Sequence, residues 1–196
     1  MPSLRQRRER SRQKVRQTSM QLRRIDRTKK KVIGKQVKTT TSIVCGTQNP
    51  ASFGCEFYEL EGGELATVFT AKEIHEGHDG IMHGGLSGAI LDEVMGRCNF
   101  LKGADGILYN PYVTGEMTVR YYRPIPVGET MCAYGRIERS EGRKNFSTGE
   151  ILNKDGIVMA EASGVYIRTN LIDDRNIPEG EKGGLLALSP EDPTEL

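Results

Sequence analysis

His83, Gly84 and Gly85 stand nine residues before Asp92, starting at that histidine, inside the string HDGIMHGGLSGAILDEVMG. The glycine pair opens an apolar run of helical character, and one carboxylate lies deep within it. The start of a helix presents backbone N–H groups without partners and a partial positive charge. Such a place can polarise a carbonyl or hold an anion. A carboxylate within an apolar helix is costly unless it has a partner or a task. The two features together point to chemistry on an acyl group. Glu93, the neighbouring acid, points about 100° away around the helix and suits an interface or substrate-binding role better than that of a base.

The elements that must carry these groups are legible from periodicity and turn chemistry. Residues 84–101 are apolar over most of a helical circumference, which predicts a helix buried on several sides. Residues 55–62 and 64–71 alternate apolar and polar around Gly62-Gly63 and read as a hairpin. Residues 72–83, with His75, His78 and His83 and two glycines, read as loop. A long strand over 111–124 ends in Arg123-Pro124. Strands over 129–140, 143–153 and 157–169 follow, with a turn at Asp155-Gly156. Two strands, one helix and four strands make an α+β domain: one long helix wrapped by a curved antiparallel sheet.

Charge is distributed unevenly. Residues 1–40 hold fifteen Lys/Arg and two acids, whereas the rest of the chain is acidic, so the net charge of +2 conceals a dipolar sequence. Residues 1–41 show no core-facing stripe and are expected to be a disordered basic extension or, over about 4–30, a solvated helix. Residues 42–170 form the domain, and 171–196 an acidic tail that is poorly ordered or lies along the surface. The basic extension suits contact with a polyanion, with strong salt dependence. No apolar stretch approaches 18 residues, so no transmembrane segment is expected, and the basic start is not followed by the apolar region of a signal peptide. Cys45, Cys55, Cys98 and Cys132 lack CxxC spacing and read as free thiols of a cytoplasmic protein. Cys98 is read as a packed helix residue.

The pattern Gly80-x-x-His83-Gly84-Gly85, then Asp92, then Tyr121-Tyr122-Arg123-Pro124 and Gly128-Glu129, resembles the hotdog-fold acyl-CoA thioesterases of the phenylacetate-degradation (PaaI-like) type. The resemblance covers about residues 42–170. It implies hydrolysis of a small or aromatic acyl-CoA, with the Gly84 N–H polarising the thioester carbonyl and Asp92 as general base or nucleophile. It also implies that Thr114 helps to hold water or the acid, and that His83 orients the motif. Gly85, His78 and Glu93 fall beside these residues as substrate-binding candidates. The CoA phosphates need cations, for which Arg120, Arg123, Arg139, Arg143 and Lys144 are candidates by strand position, Arg143 and Lys144 above the others. One position departs from the pattern: Gly77 stands six residues before the motif histidine, where a polar side chain is implied.

Gly84 and Asp92 lie eight residues apart, roughly 12 Å along a helix axis. The short Asp92 side chain therefore cannot reach a carbonyl held at the start of its own helix. If both act on one thioester, they come from different subunits of a homodimer, or of a dimer of dimers, with the two helices antiparallel across a two-fold axis. The three histidines lack a fixed frame and a fourth ligand, so no metal is expected, and coenzyme A enters only as part of the substrate. The alternative reading is a sensor or adaptor that binds acyl-CoA without turnover while its basic arm engages nucleic acid or another polyanion. Against sequence-specific DNA recognition, no helix-turn-helix pattern precedes residue 42.

Overall fold

The computed structural model describes residues 23–102, 108–169 and 185–196. Among them one α-helix, α1 (Gly84–Arg97), lies against an eight-stranded antiparallel sheet. The strands are β1 (Val32–Gln36), β2 (Glu56–Leu60), β3 (Glu64–Thr70), β8 (Tyr112–Tyr121), β9 (Thr130–Glu141), β10 (Lys144–Asn153), β11 (Val158–Arg168) and β12 (Leu185–Leu186). Their order across the sheet is β12-β1-β2-β3-β9-β10-β11-β8. Short strands β4 (Glu76–His78) and β5 (Ile81–Met82) form one ribbon, and β6 (Leu101–Lys102) and β7 (Leu108–Tyr109) another. The α+β expectation, with its central helix and curved antiparallel sheet, holds. So do the hairpin around Gly62-Gly63 and the four strands after the helix.

The helix side of the sheet carries the main core. Alternation places Phe57, Leu65, Phe69, Met131, Ala133 and Ile151 on this face, against Ile90, Leu91, Val94 and Met95 of α1. Those four helix side chains are fully buried; each contributes roughly 1.5–3 kcal/mol by leaving water. The helix lies directly on the sheet at a rung of two glycines, Gly149 opposite Gly135. A Cβ on Gly135 would stand 2.7 Å from the Val94 carbonyl oxygen, and one on Gly149 would stand 3.0 Å from Met95 Cγ. Backbone therefore lies directly under helix here, and any side chain at residue 135 would lift α1 off the sheet.

The helix ends at Arg97 rather than at residue 101. The Asn99 amide donates to the Met95 carbonyl at 2.9 Å and accepts from Asn145 at 2.8 Å, which satisfies an end carbonyl and turns the chain away. The stretch read as loop contains β4 and β5, because Ile81 and Met82 pair back onto Glu76 and His78.

The opposite face of the sheet corrects the expected boundary at residue 42. Residues 4–22 of the supposed solvated helix lie outside the described residues, but 23–41 belong to the domain. Val32 and Gln36 of β1 are buried in a period-2 pattern that the surrounding lysines mask in sequence. Residues 23–31 run extended across a second apolar cluster of Tyr58, Leu60, Ala66, Tyr134, Leu152 and Val158, and Ile25 and Leu196 pack on it. Arg27 lies 3.8 Å above the Tyr134 ring and pairs with both Glu64 and Glu150. Arg23 pairs with Glu161, and Lys30 with Glu64. These cations are therefore engaged by the chain's own acids. Of the acidic tail, 171–184 lie outside the described residues, while 185–196 lie along the surface beside β1. Leu185 and Leu186 pair with Gln36 and Lys35, and Asp192 accepts hydrogen bonds from Tyr58 and Lys35. The Lys35 and Ser189 contacts hold the Asp192 carboxyl well below the usual carboxylate range.

Two measurements check this packing. Gly135→Ala is expected to lower stability by about 2–3 kcal/mol, seen as a lower urea midpoint; an unchanged midpoint would show that α1 does not rest on that rung. Arg27→Ala leaves the nearly buried Glu64 and Glu150 short of a cation and is expected to cost about 3 kcal/mol. Adding Glu150→Gln should recover part of that loss, and failure to recover any would mean that Arg27 acts through Tyr134 alone.

Candidate active site

The chain enters α1 from β5 through His83, the N-cap, whose backbone is extended (φ −61°, ψ 131°). Its ring Nδ1 accepts the Gly85 N–H at 3.0 Å, and its carbonyl accepts the Leu86 N–H at 3.0 Å. The second and third donors of the helix are thus used. The first, the Gly84 N–H, has no hydrogen bond among the described residues. It points its hydrogen out of the positive end of the helix. His83 is therefore an orienting residue: by accepting from Gly85 it fixes the direction of the free donor next to it. His83, Gly84 and Gly85 are all exposed.

Two neighbours shape this helix start. The Tyr121 hydroxyl, at the end of β8, donates to the Gly84 carbonyl at 3.2 Å, and its ring lies beside Gly84. On the other side, a Cβ on Gly77 would lie 2.9 Å from His83 Cα and 3.0 Å from His83 Cδ2. No side chain fits at residue 77 while His83 keeps its place. The departure from the polar residue implied there thus has a steric cause.

Asp92 lies two turns further along α1, half-buried. Thr114 Oγ1 of β8 donates to its Oδ1 at 2.8 Å, as the resemblance implied. The Tyr166 hydroxyl of β11 donates to the same Oδ1 at 3.0 Å and to the Asp92 main-chain carbonyl at 3.1 Å. Thr114 and Tyr166 face one another across β8 and β11, next to a register shift between Val165 and Tyr166. Such irregularities re-aim side chains near functional sites. Burial first, and then the Asp92 charge, push the Tyr166 phenol well above its ordinary value, so it stays a proton donor. Tyr121 enters the sequence reading only as part of the Tyr-Tyr-Arg-Pro string, with no role of its own, and Tyr166 does not enter it. Strand alternation alone could have put Tyr166 on the helix side, but not under Asp92.

The remaining candidates separate. Glu93 accepts from the buried Arg97 guanidinium at 2.7 Å, and Arg97 also donates to the Val37 carbonyl and lies over Phe57. Glu93 is thus committed to a structural ion pair, not to a ligand. His75 is buried, stacked on Phe53 and bonded to Lys72 and Ala51, whereas His78 is exposed on β4. No cluster of three or more metal-binding side chains lies among the described residues. Arg120 lies near Glu161 and lines a cavity of about 290 Å³ on the face away from α1, together with Arg23 and Arg136. It is six residues from Thr114, roughly 20 Å along the strand. Arg123 follows β8 at that same far end and donates its main-chain N–H to Met159. Arg139 lies 3.5 Å from the Phe146 ring centre. Arg143 donates to the Arg168 carbonyl, and Lys144 pairs with Ile167, next to Tyr166. Arg143 and Lys144 therefore sit at the Asp92 end of the sheet, and Arg120 and Arg123 do not.

In the chain as folded, Gly84 and Asp92 stay at separate points on one helix, each with its own β8 partner: Tyr121 for the first and Thr114 for the second. One end is a free donor in a positive field. The other is a carboxylate gripped by two hydroxyls.

Comparison with known proteins supports the fold. Residues 79–160 match the thioesterase superfamily. The acyl-coenzyme A thioesterase THEM4 of Xenopus laevis is 28% identical over 117 residues, covering 58% of this chain and 49% of that protein. The chain spans about half the length of the curated relatives it matches. Among solved structures, a thioesterase superfamily protein superposes with a TM-score of 0.57 at 28% identity, covering 64% of this chain and 59% of that one. The Escherichia coli PaaI protein of the phenylacetic acid degradation operon superposes with a TM-score of 0.51 at 19% identity, over 60% and 81% of the two chains. The helix with its free N-terminal donor, its carboxylate and its enclosing antiparallel sheet thus has the hotdog fold, and the stretch from residue 79 to residue 160 is similar to the thioesterase superfamily.

Proposed function

We propose that the protein is an acyl-CoA thioesterase acting on a small or aromatic acyl-CoA. The observation that carries the reading is the pairing, on one helix, of an unsatisfied N–H at Gly84 with a carboxylate at Asp92 held by hydroxyl groups. The thioester carbonyl accepts the Gly84 N–H, and the helix dipole stabilises the negative charge that develops on its oxygen. Asp92 takes a proton from water as the water oxygen bonds to the acyl carbon. Collapse of that adduct breaks the C–S bond and releases CoA thiolate, which is then protonated. Alternatively, an Asp92 oxygen bonds to the acyl carbon, CoA thiolate leaves, and water hydrolyses the resulting anhydride. Both routes use the same two groups. Arg143 and Lys144, near the Asp92 end, are suited to the CoA phosphates.

The reaction needs two subunits. Strand β8 is paired only with β11 among the described residues, so its other edge is open. That edge is a template for a second copy. An antiparallel pairing of β8 with itself about Met117 and Thr118 sets Thr114 of one copy opposite Tyr121 of the other. Gly84 lies beside Tyr121 and Asp92 beside Thr114, so this arrangement brings Gly84 of one protomer toward Asp92 of its partner, twice per dimer. No described helix is long and apolar enough to cross a membrane.

Asp92→Asn is expected to lower release of CoA from acyl-CoA by 100-fold or more while keeping the thermal shift that acyl-CoA produces. Unchanged turnover across acetyl-, hexanoyl-, palmitoyl- and phenylacetyl-CoA would remove Asp92 from the mechanism. Binding without turnover by the wild-type protein would favour the sensor reading instead.

The shared site has its own test. Gly84→Pro deletes the N–H at the first helical position, where proline is tolerated, and His83 already has the extended backbone that precedes proline. Each homodimer of Gly84→Pro or Asp92→Asn should be inactive. A dimer holding one of each keeps one intact site, so co-expression should restore about a quarter of wild-type activity, because about half the dimers are mixed and each has one of two sites. No recovery would place both groups of each site in one protomer.

A further inference from the structure

Tyr166 belongs to none of the roles considered so far, yet it makes the closest approach of the sheet's interior to the Asp92 carboxylate other than Thr114. Its side chain is buried to 1% exposure, and the ring is held on both sides by glycine. A Cβ on Gly96 of α1 would lie 3.5 Å from one ring edge, and one on Gly164 of β11 would lie 3.2 Å from the other. The hydroxyl therefore has a fixed position. It lies 3.0 Å from Asp92 Oδ1 and 3.1 Å from the carbonyl oxygen of the same residue, so one O–H bridges main chain and side chain. Thr114 Oγ1 reaches Oδ1 from β8 at 2.8 Å. Oδ2 makes no hydrogen bond among the described residues.

A free carboxylate has two equivalent oxygens that exchange when the group rotates about its last side-chain bond. Two hydroxyl donors on one oxygen remove that equivalence. We infer that Tyr166 is a positioning residue: by bridging the carbonyl and Oδ1 of Asp92 it fixes the side-chain rotamer and, with Thr114, leaves Oδ2 as the oxygen that reacts. The inference rests on the hydrolytic reading for its consequence but not for its geometry. Oδ2 takes the proton of the attacking water, or forms the bond to the acyl carbon, while Oδ1 keeps both donors throughout. The two hydroxyls also spread the carboxylate's charge toward the sheet, so the free oxygen meets the substrate in one direction. Misplacing a reacting group by about 1 Å can cost about 100-fold in rate. A residue that only sets such a direction should change turnover and leave affinity alone.

Tyr166→Phe keeps the ring between Gly96 and Gly164 and deletes only the hydroxyl. On the acyl-CoA panel kcat should fall about 10- to 100-fold with KM within about twofold. Thr114→Val should behave alike, Thr114→Ser should restore the rate, and the double variant should lose less than the product of the single losses, since both donors serve one oxygen. A crystal structure of Tyr166→Phe supplies a readout free of activity: the Asp92 carboxylate should be turned or spread over two orientations. A carboxylate in its wild-type orientation overturns the inference whatever the kinetics. If the wild type is active and Tyr166→Phe is equally active, the inference also fails, but the hydrolytic reading stands. If no member of the panel is hydrolysed by the wild type while the carboxylate does turn in the variant, the hydrolytic reading fails and the positioning role stands.

Discussion

The position of α1 rests on a place where the sheet has no side chains. Gly135 and Gly149 form one rung, and the helix backbone at Val94 and Met95 fits directly onto it. Close-packed interiors transmit small displacements because they have little room to absorb them. A helix raised by one methyl group at this rung would carry Asp92, two and three residues before the contact, away from Thr114 and Tyr166. The hydrogen bonds of 2.8 and 3.0 Å to that carboxylate are therefore made possible by a backbone contact on another pair of strands. At the other end of the helix, Gly88 lies near Tyr121, Met117 and Val119, so the first turns also sit close to β8. Glycine at these points is a packing requirement, met at the cost of weaker intrinsic helix and strand propensity.

The second face of the sheet follows a different logic. Among the described residues no helix covers it; residues 23–31 and the last residues of the chain do, through paired charges over an apolar floor. Glu64 and Glu150 are almost buried side chains, which a sheet tolerates only with cations at hand. The basic start of the sequence supplies Arg27 and Lys30, Arg136 adds a third cation from β9, and Lys35 and Tyr58 anchor Asp192 near the chain's end. The dipolar distribution of charge along the sequence thus becomes, over its described parts, an internal contact between basic and acidic segments.

Legibility in the sequence divided along physical lines. Elements whose signal is periodic and local were readable: the hairpin around Gly62-Gly63, the helix that begins at Gly84, and the four strands after it. Motif spacing placed Gly84 and Asp92 on that helix, and the resemblance alone pointed to Thr114, which the fold brings against Asp92. What depended on tertiary partners was hidden. Strand β1 looks like part of a basic arm because Lys31, Lys35 and Lys38 dominate its composition, although Val32 and Gln36 alternate inward. Glu93 appears as available as Asp92 until Arg97, one turn on, is seen to claim it. Tyr166 is one aromatic among several on strands, and its role arises from a register shift that no local pattern announces. In the sequence Arg143 is favoured over Arg120 because it follows the turn at Gly142, and the pairing register places the two at opposite ends of the sheet.

In the proposed reaction, the same register makes a lone protomer half a site. β8 touches both functional points of its own helix, Tyr121 at the free donor and Thr114 at the carboxylate, seven residues apart on one strand. That spacing along the strand, roughly 23 Å, exceeds the helix distance between Gly84 and Asp92, so no bending of a short side chain closes the gap. An edge strand that marks both ends of the gap, and is paired on one side only among the described residues, would in the proposed dimer convert the difficulty into symmetry: a two-fold axis at its middle exchanges the ends. The open edge, the helix length and the direction of β8 are then one constraint. If the proposed dimer is right, a change that lengthened α1 by a turn without lengthening β8 would leave each protomer folded and each shared site out of alignment.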